Sequence, residues 1–173
     1  DGDQRILDLG CGLGVPATWL ALAKPGLFVE GIEPREEQAA AAARALGERG
    51  RIRQGAAPDL SMVQGSFQAV LMLDMVHHLS DEELGQTLGE VAGRLDAGGR
   101  LILRASLPEK GRALERRMER WRQFLRGARI RWRSRAELER ALSRAGLDLE
   151  LCEATAPDRC EWWFVARRRE GSA

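Results

Sequence analysis

The 173-residue sequence has no tyrosine, two histidines and three cysteines, and aromatic side chains make up only 5% of it. Lysine is scarce too: Lys24 and Lys110 are the only two among 27 basic residues. Cys11, Cys152 and Cys160 are odd in number and lack any Cys-x-x-Cys or Cys/His ligand spacing. That speaks against a disulfide framework and a zinc site, and for a reducing, cytoplasmic setting. No apolar run reaches the roughly 18 residues that cross a bilayer, so no transmembrane segment is expected. Asp1, rather than Met, opens the chain and nothing near it reads as a signal peptide, so residues ahead of it are expected to be missing.

The remaining composition, 44% hydrophobic and 31% charged, fits one compact globular domain. A chain of this length buries about 70% of its unfolded surface, enough for a core without staples. The net charge of +1 hides an asymmetry, because residues 104–135 carry twelve basic side chains against three acids, or +9, and the remainder carries −8. Short apolar runs alternate with helical periodicity, which predicts an α/β fold. Strands are expected at Arg5–Leu9, Leu27–Ile32, Arg51–Arg53, Ala69–Leu73 and Arg100–Leu103, mostly as continuous apolar runs that suit a parallel sheet buried on both faces. Helices are expected near 16–24, 35–47 and 81–95.

Capping boxes at Ser80–Glu83 and Ser134–Glu137 announce two helix starts, and Gly98-Gly99 is expected to close the crossover after the first of them. Leu147–Ala154 and Glu161–Ala166 then form an antiparallel hairpin. The prediction is a doubly wound, Rossmann-like sheet of seven strands, mostly parallel with an antiparallel C-terminal end and helices on both faces.

The sharpest motif is Ile6-Leu-Asp-Leu-Gly-Cys-Gly-Leu-Gly14, a strand running into three glycines and a helix with Pro16 in its first turn. Glycines let a ligand approach the backbone, and free N–H groups at the helix start favour negative charge. The dinucleotide fingerprint would need glycine where Val15 stands, which disfavours a nicotinamide-dependent oxidoreductase. Glu33 ends the next strand some twenty residues on, where a carboxylate can accept from both hydroxyls of a ribose. At Leu71-Met-Leu-Asp-Met-Val-His-His-Leu-Ser80, a buried strand ends in Asp74 and a loop with both histidines, His77 and His78. Ligands sit at such strand ends, and an imidazole there can take a hydroxyl proton near neutral pH.

These motifs resemble the class I S-adenosylmethionine-dependent methyltransferases over nearly the whole chain. The resemblance implies S-adenosylmethionine as cofactor, S-adenosylhomocysteine as product, and a bacterial small-molecule enzyme. Asp8, Gly10, Cys11 and Gly12 would hold the methionine part, Glu33 the ribose, and Pro34 and Arg35 the adenine side. Asp74 would also touch the cofactor. His77 is the first choice for a base, with His78 beside it. One position departs from the pattern: Ala56 stands where the family often has an adenine-binding Asp, leaving the backbone N–H of Ala57 or the carboxylate of Asp59 as substitutes. The Asn-Pro-Pro-Tyr type motif of base methylation is absent.

Residues 107–133 form a basic insert on the substrate side, in which Leu114, Met118, Trp121 and Leu125 draw an apolar stripe. One reading is a helix packed over the mouth of the site by that stripe with its arginines solvated; the other makes Arg112 to Arg135 a surface for an acidic partner, such as an acyl-carrier protein bearing the substrate. Anionic lipid and RNA are the other candidates, RNA being the less favoured because Trp121 and Phe124 could stack on bases only if exposed. The single domain 1–173 would lack the N-terminal lid helices of its relatives, which keeps open an inactive binding module on the same fold.

Overall fold

The computed structural model describes residues 4–107, 131–156 and 159–169. The basic helix expected over Leu114–Ala128, most of the 107–133 insert and any lid lie outside these residues. Within them the chain runs β1 (Gln4–Leu9), α1 (Val15–Ala23), β2 (Leu27–Glu33), α2 (Glu36–Leu46), β3 (Gly50–Gln54), β4 (Phe67–Leu73), α3 (Asp81–Arg94), β5 (Leu95–Ser106), α4 (Arg135–Arg144), β6 (Leu147–Ala154) and β7 (Glu161–Arg168). The seven strands form one sheet in the order β3-β2-β1-β4-β5-β7-β6, with β7 antiparallel to both neighbours and the other pairs parallel. This is the expected architecture.

Alternating side chains of the same strands feed two cores. Leu7 and Leu9 of β1, Phe67, Val70 and Met72 of β4, and Leu101 and Leu103 of β5 pack beneath α3 and α4. Ile6, Val29 and Leu71 pack on the opposite face against Ala17 and Ala21 of α1. The apolar periodicity of α3, with Leu84, Leu88 and Val91 buried, matches its capping box, in which Ser80 and Glu83 exchange side-chain and backbone hydrogen bonds. The Ser134–Glu137 box opens α4 in the same way.

One element differs from expectation. β5 begins at Leu95, opposite Phe67, and its register against β4 shifts before Arg100 pairs with Ala69. Gly98, at φ 77°, and Gly99 therefore sit inside an irregularity of the strand instead of closing a helix. The sheet order reverses between β1 and β4, whose carboxyl ends diverge and leave a crevice. Among the described residues no helix is long and apolar enough to cross a membrane.

Helix α3 carries Gly85, Gly89 and Gly93 on its exposed side, and a methyl group at any of them would meet nothing within 4 Å. Replacing each by Ala is expected to raise stability by about 0.5–1 kcal/mol, read from the midpoint of urea unfolding at unchanged slope. A loss of stability would show that this face is covered in solution.

Candidate functional site

β1 ends in a loop whose first three amides are already committed. The Gly10 and Cys11 N–H groups donate to the Ile32 carbonyl at 2.8 and 3.1 Å, and Gly12 N–H donates to Glu33 Oε2 at 3.0 Å. These loop amides are therefore not free for an anion, which leaves that role to the N–H groups at the start of α1, and the loop itself offers carbonyls and a floor without side chains. Gly12, at φ 57°, has open space where a Cβ would project, the nearest atom being Gln38 Oε1 at 3.9 Å. Gly14 serves packing: a Cβ there would lie 2.7 Å from the Ala42 methyl, so α1 and α2 approach as closely as they do only because residue 14 lacks one.

Glu33, 3% exposed, closes one rim at the end of β2. Its Oε1 accepts from the Arg35 backbone N–H at 3.2 Å and from Arg35 Nε at 3.3 Å. The Arg35 side chain is 71% exposed and can swing aside, freeing acceptor positions on the carboxylate.

Between these groups lies a cleft of about 440 Å³. Gly10 and Gly12 floor it, Glu33, Pro34 and Arg35 line one rim, Gly55, Ala56 and Ala57 the next, and Asp74, Met75 and His78 the far wall. The site thus gathers nine of the residues singled out from sequence: Gly10, Gly12, Glu33, Pro34, Arg35, Ala56, Ala57, Asp74 and His78. Asp8, Cys11 and His77 do not line it. Leu9, Ile32, Met75 and Leu79 add apolar surface that sequence reasoning passed over, because apolar residues at strand ends read as core. Asp59 is not a substitute for the missing acid: it is exposed, and its carboxylate accepts from Ser61 N–H at 3.0 Å to close a turn.

Asp8 and Glu33 place two carboxylates close together near the glycine loop. Asp8 is 2% exposed, and burial, followed by the charge of Glu33, pushes its carboxyl up to about 7. Its Oδ2 is buried without a hydrogen-bond partner. Burial and the same two acids push the Cys11 thiol up to about 12, so Cys11 stays protonated and is no nucleophile.

Asp74 holds a positive φ of 55°, a left-handed conformation uncommon outside glycine and tolerated best by Asn and Asp. Its N–H donates to the Arg104 carbonyl at 2.9 Å, and its Oδ2 accepts from the Arg104 guanidinium, which itself lies 5.3 Å from the centre of the Trp163 ring on β7. Asp74 Oδ1 is buried and unpartnered.

The histidine pair stands on a 3-10 turn, Val76–His78, with ring centres 4.1 Å apart. His78 is exposed on the cleft wall, and burial, then the charge of Arg35, lowers its pKa. His77 sits against Trp132, their rings nearly parallel at 6.4 Å. Burial, then His78, lowers His77 to about 4, so its imidazole is neutral at pH 7.

The cleft therefore presents a buried carboxylate at the Glu33 rim, a stretch of small and apolar residues from Pro34 to Ala57, and Asp8 buried behind its glycine floor. It accords with the known proteins this chain is similar to. Residues 6–99 match the family model described as "Methyltransferase domain", and the chain belongs to that family. The 27-O-demethylrifamycin SV methyltransferase of Amycolatopsis mediterranei is 33% identical over 97% of this chain and 63% of its own length. The ubiquinone biosynthesis O-methyltransferase of Azorhizobium caulinodans is 29% identical, over 94% of this chain and 66% of its own. In fold, the chain resembles the magnesium protoporphyrin IX methyltransferase of Synechocystis, solved with bound S-adenosylhomocysteine, at a TM-score of 0.73 and 22% identity, covering 96% of this chain and 75% of that one. The chain spans between 31% and 66% of the length of the curated relatives it matches.

Asp8 and His77 set opposite pH slopes. Asp8, raised in the folded state, stabilises it fully below about pH 3.9 and loses that contribution as the pH climbs through about 7, an effect of at most about 4 kcal/mol. His77, lowered in the folded state, contributes in full above about pH 6.5 and loses it as the pH falls through about 4. Relative to wild type, Asp8→Asn is therefore expected to gain thermal stability as pH rises from 4 to 7, and His77→Gln to gain it as pH falls from 6.5 to 4. Unfolding midpoints measured across this range check both, and difference curves without slope would refute the placement of these charges.

Proposed function

We propose that this chain is the catalytic domain of an S-adenosylmethionine-dependent methyltransferase that methylates an oxygen or carbon atom of a small, lipid or carrier-bound molecule. The observation that carries the reading is the Glu33 carboxylate, buried at the rim of a glycine-floored cleft with Asp8 unpartnered nearby. Glu33 would accept from the two ribose hydroxyls, Pro34 and Arg35 would flank the base, and Ala57 N–H would face the adenine edge. Carbonyls of the glycine loop and the Asp8 carboxylate suit the methionine ammonium. Bound there, the cofactor supplies an electrophilic methyl on a sulfonium.

The chain's own part is then positioning. Two reacting groups held in line gain up to about 7–11 kcal/mol over free encounter. Gly10 and Gly12 let the ligand sit low, and Asp74, Met75 and Leu79 wall its reacting end. His78, on the cleft wall, is placed to accept a hydroxyl proton from the acceptor, whereas His77 backs it from the Trp132 side. Deprotonation is secondary to alignment, because the His78 imidazole is held below its ordinary basicity.

Ala56 favours a second reading. It lines the cleft where an acid could have accepted from the adenine amino group, a loss worth about 0.5–1.5 kcal/mol and consistent with a weakly binding or inactive module. The free thiols of Cys11, Cys152 and Cys160 support a reducing, cytoplasmic location. An acidic carrier at the Arg112–Arg135 stretch rests on charge alone.

Titration calorimetry with S-adenosylhomocysteine separates the readings. Wild type should bind it, and Glu33→Ala should weaken binding at least tenfold. No heat at millimolar ligand would leave only the module. With a hydroxylated acceptor found by screening, His78→Ala is expected to lower turnover about 100-fold at near-constant S-adenosylhomocysteine affinity, and an unchanged rate would remove His78 from the mechanism.

A further inference from the structure

The stretch just before α4 meets the histidine turn with every kind of group it has. Arg131 N–H donates to the His77 carbonyl at 2.9 Å. Trp132 lays its ring along the His77 imidazole. Arg133, only 7% exposed, donates through one terminal nitrogen to the Val76 carbonyl at 2.7 Å and through the other to the Leu79 carbonyl at 2.7 Å. Its Nε and one terminal nitrogen also reach Asp81 Oδ1 at 2.9 and 2.8 Å. A single planar guanidinium therefore bridges both ends of the turn and the first residue of α3.

We propose that Arg133 is a positioning residue: by gripping the carbonyls on either side of the histidine pair, it sets where the His77 and His78 imidazoles stand relative to the cleft. The use made of that position rests on the methyltransferase reading; the grip itself does not. Geometry argues for more than charge neutralisation. Asp81, the one acid in contact, is 90% exposed and could be satisfied by water, so the buried end of the guanidinium is committed to backbone carbonyls. Two carbonyls that flank a pair of side chains need a rigid fork, which a lysine ammonium on a flexible stem cannot reproduce. The His77 carbonyl is thereby tied to the segment just before α4.

The titration of the imidazoles tests this in the ligand-free protein. The charged and titratable groups acting on His77 are His78, Asp74 and Arg133. Arg133→Lys keeps the positive charge and removes the fork, so any change in His77 reports geometry rather than charge. In histidine-labelled protein followed by NMR, wild-type His77 should stay neutral down to pH 5. In Arg133→Lys it should gain its proton at least one pH unit higher than in wild type and lose the ring-current shift from Trp132. Arg133→Gln should do the same with a larger displacement, since the repelling charge is gone as well.

If both variants fold and His77 titrates as in wild type, Arg133 is only a structural tether and the proposal falls. Should neither fold, Asp81→Asn decides by loosening the same guanidinium from outside: a smaller upward displacement supports the proposal, and none overturns it. Failure of the methyltransferase reading would show separately, as absent S-adenosylhomocysteine heat in wild type.

Discussion

The hydrogen bond from Gly12 N–H to the buried Glu33 carboxylate joins the loop after β1 to the end of β2, at the point where the sheet order turns. Everything in the cleft is built around it. It fixes the loop with its bare face upward, and it holds an acid at 3% exposure that a folded chain otherwise has no reason to bury. The Ile32 carbonyl, accepting from both Gly10 and Cys11, adds a second clasp one residue earlier. Together they make the floor and the rim one rigid unit, which is what close alignment of two reactants asks of a scaffold.

Much of this architecture could be read from residue order, because strands buried on both faces write themselves as apolar runs and capping boxes mark helix starts by chemistry alone. Glu33 was legible through its distance from the glycines, since the βαβ crossover fixes that spacing. What escaped was whatever depends on contacts distant in sequence. That Gly14 answers to Ala42, and that the loop amides are already spent on β2, requires knowing how α2 and β2 sit. The strand at Leu95 was hidden because Asp96-Ala-Gly-Gly looks like a helix stop and is a bulge instead. Asp59 and Asp74 look alike as acids after strands; one closes a turn with Ser61, and only the other faces the cleft. Arg133 looked like one arginine among many in a basic stretch, and burial alone sets it apart.

Two acids close together, one of them with its carboxyl raised to about 7, describe a site that is short of positive charge. A ligand bearing an ammonium group would relieve that shortage, drawing the proton from Asp8 as it settles. If the proposed cofactor's ammonium settles against Asp8, binding and proton release would be coupled through the same buried carboxyl that costs the empty fold stability above neutrality. The arrangement favours a zwitterionic guest over a neutral nucleoside of similar size, which is a form of selection made by charge rather than by shape.

Arg104 ties Asp74 on the far wall to Trp163 on β7, a strand made from nearly the last residues described. During synthesis on the ribosome β7 emerges after the other six strands, and until it pairs with β5 the guanidinium lacks the indole that steadies it. The support behind Asp74 is therefore completed only once β7 has joined the sheet, so the far wall of the cleft is coupled to the order in which the strands are made.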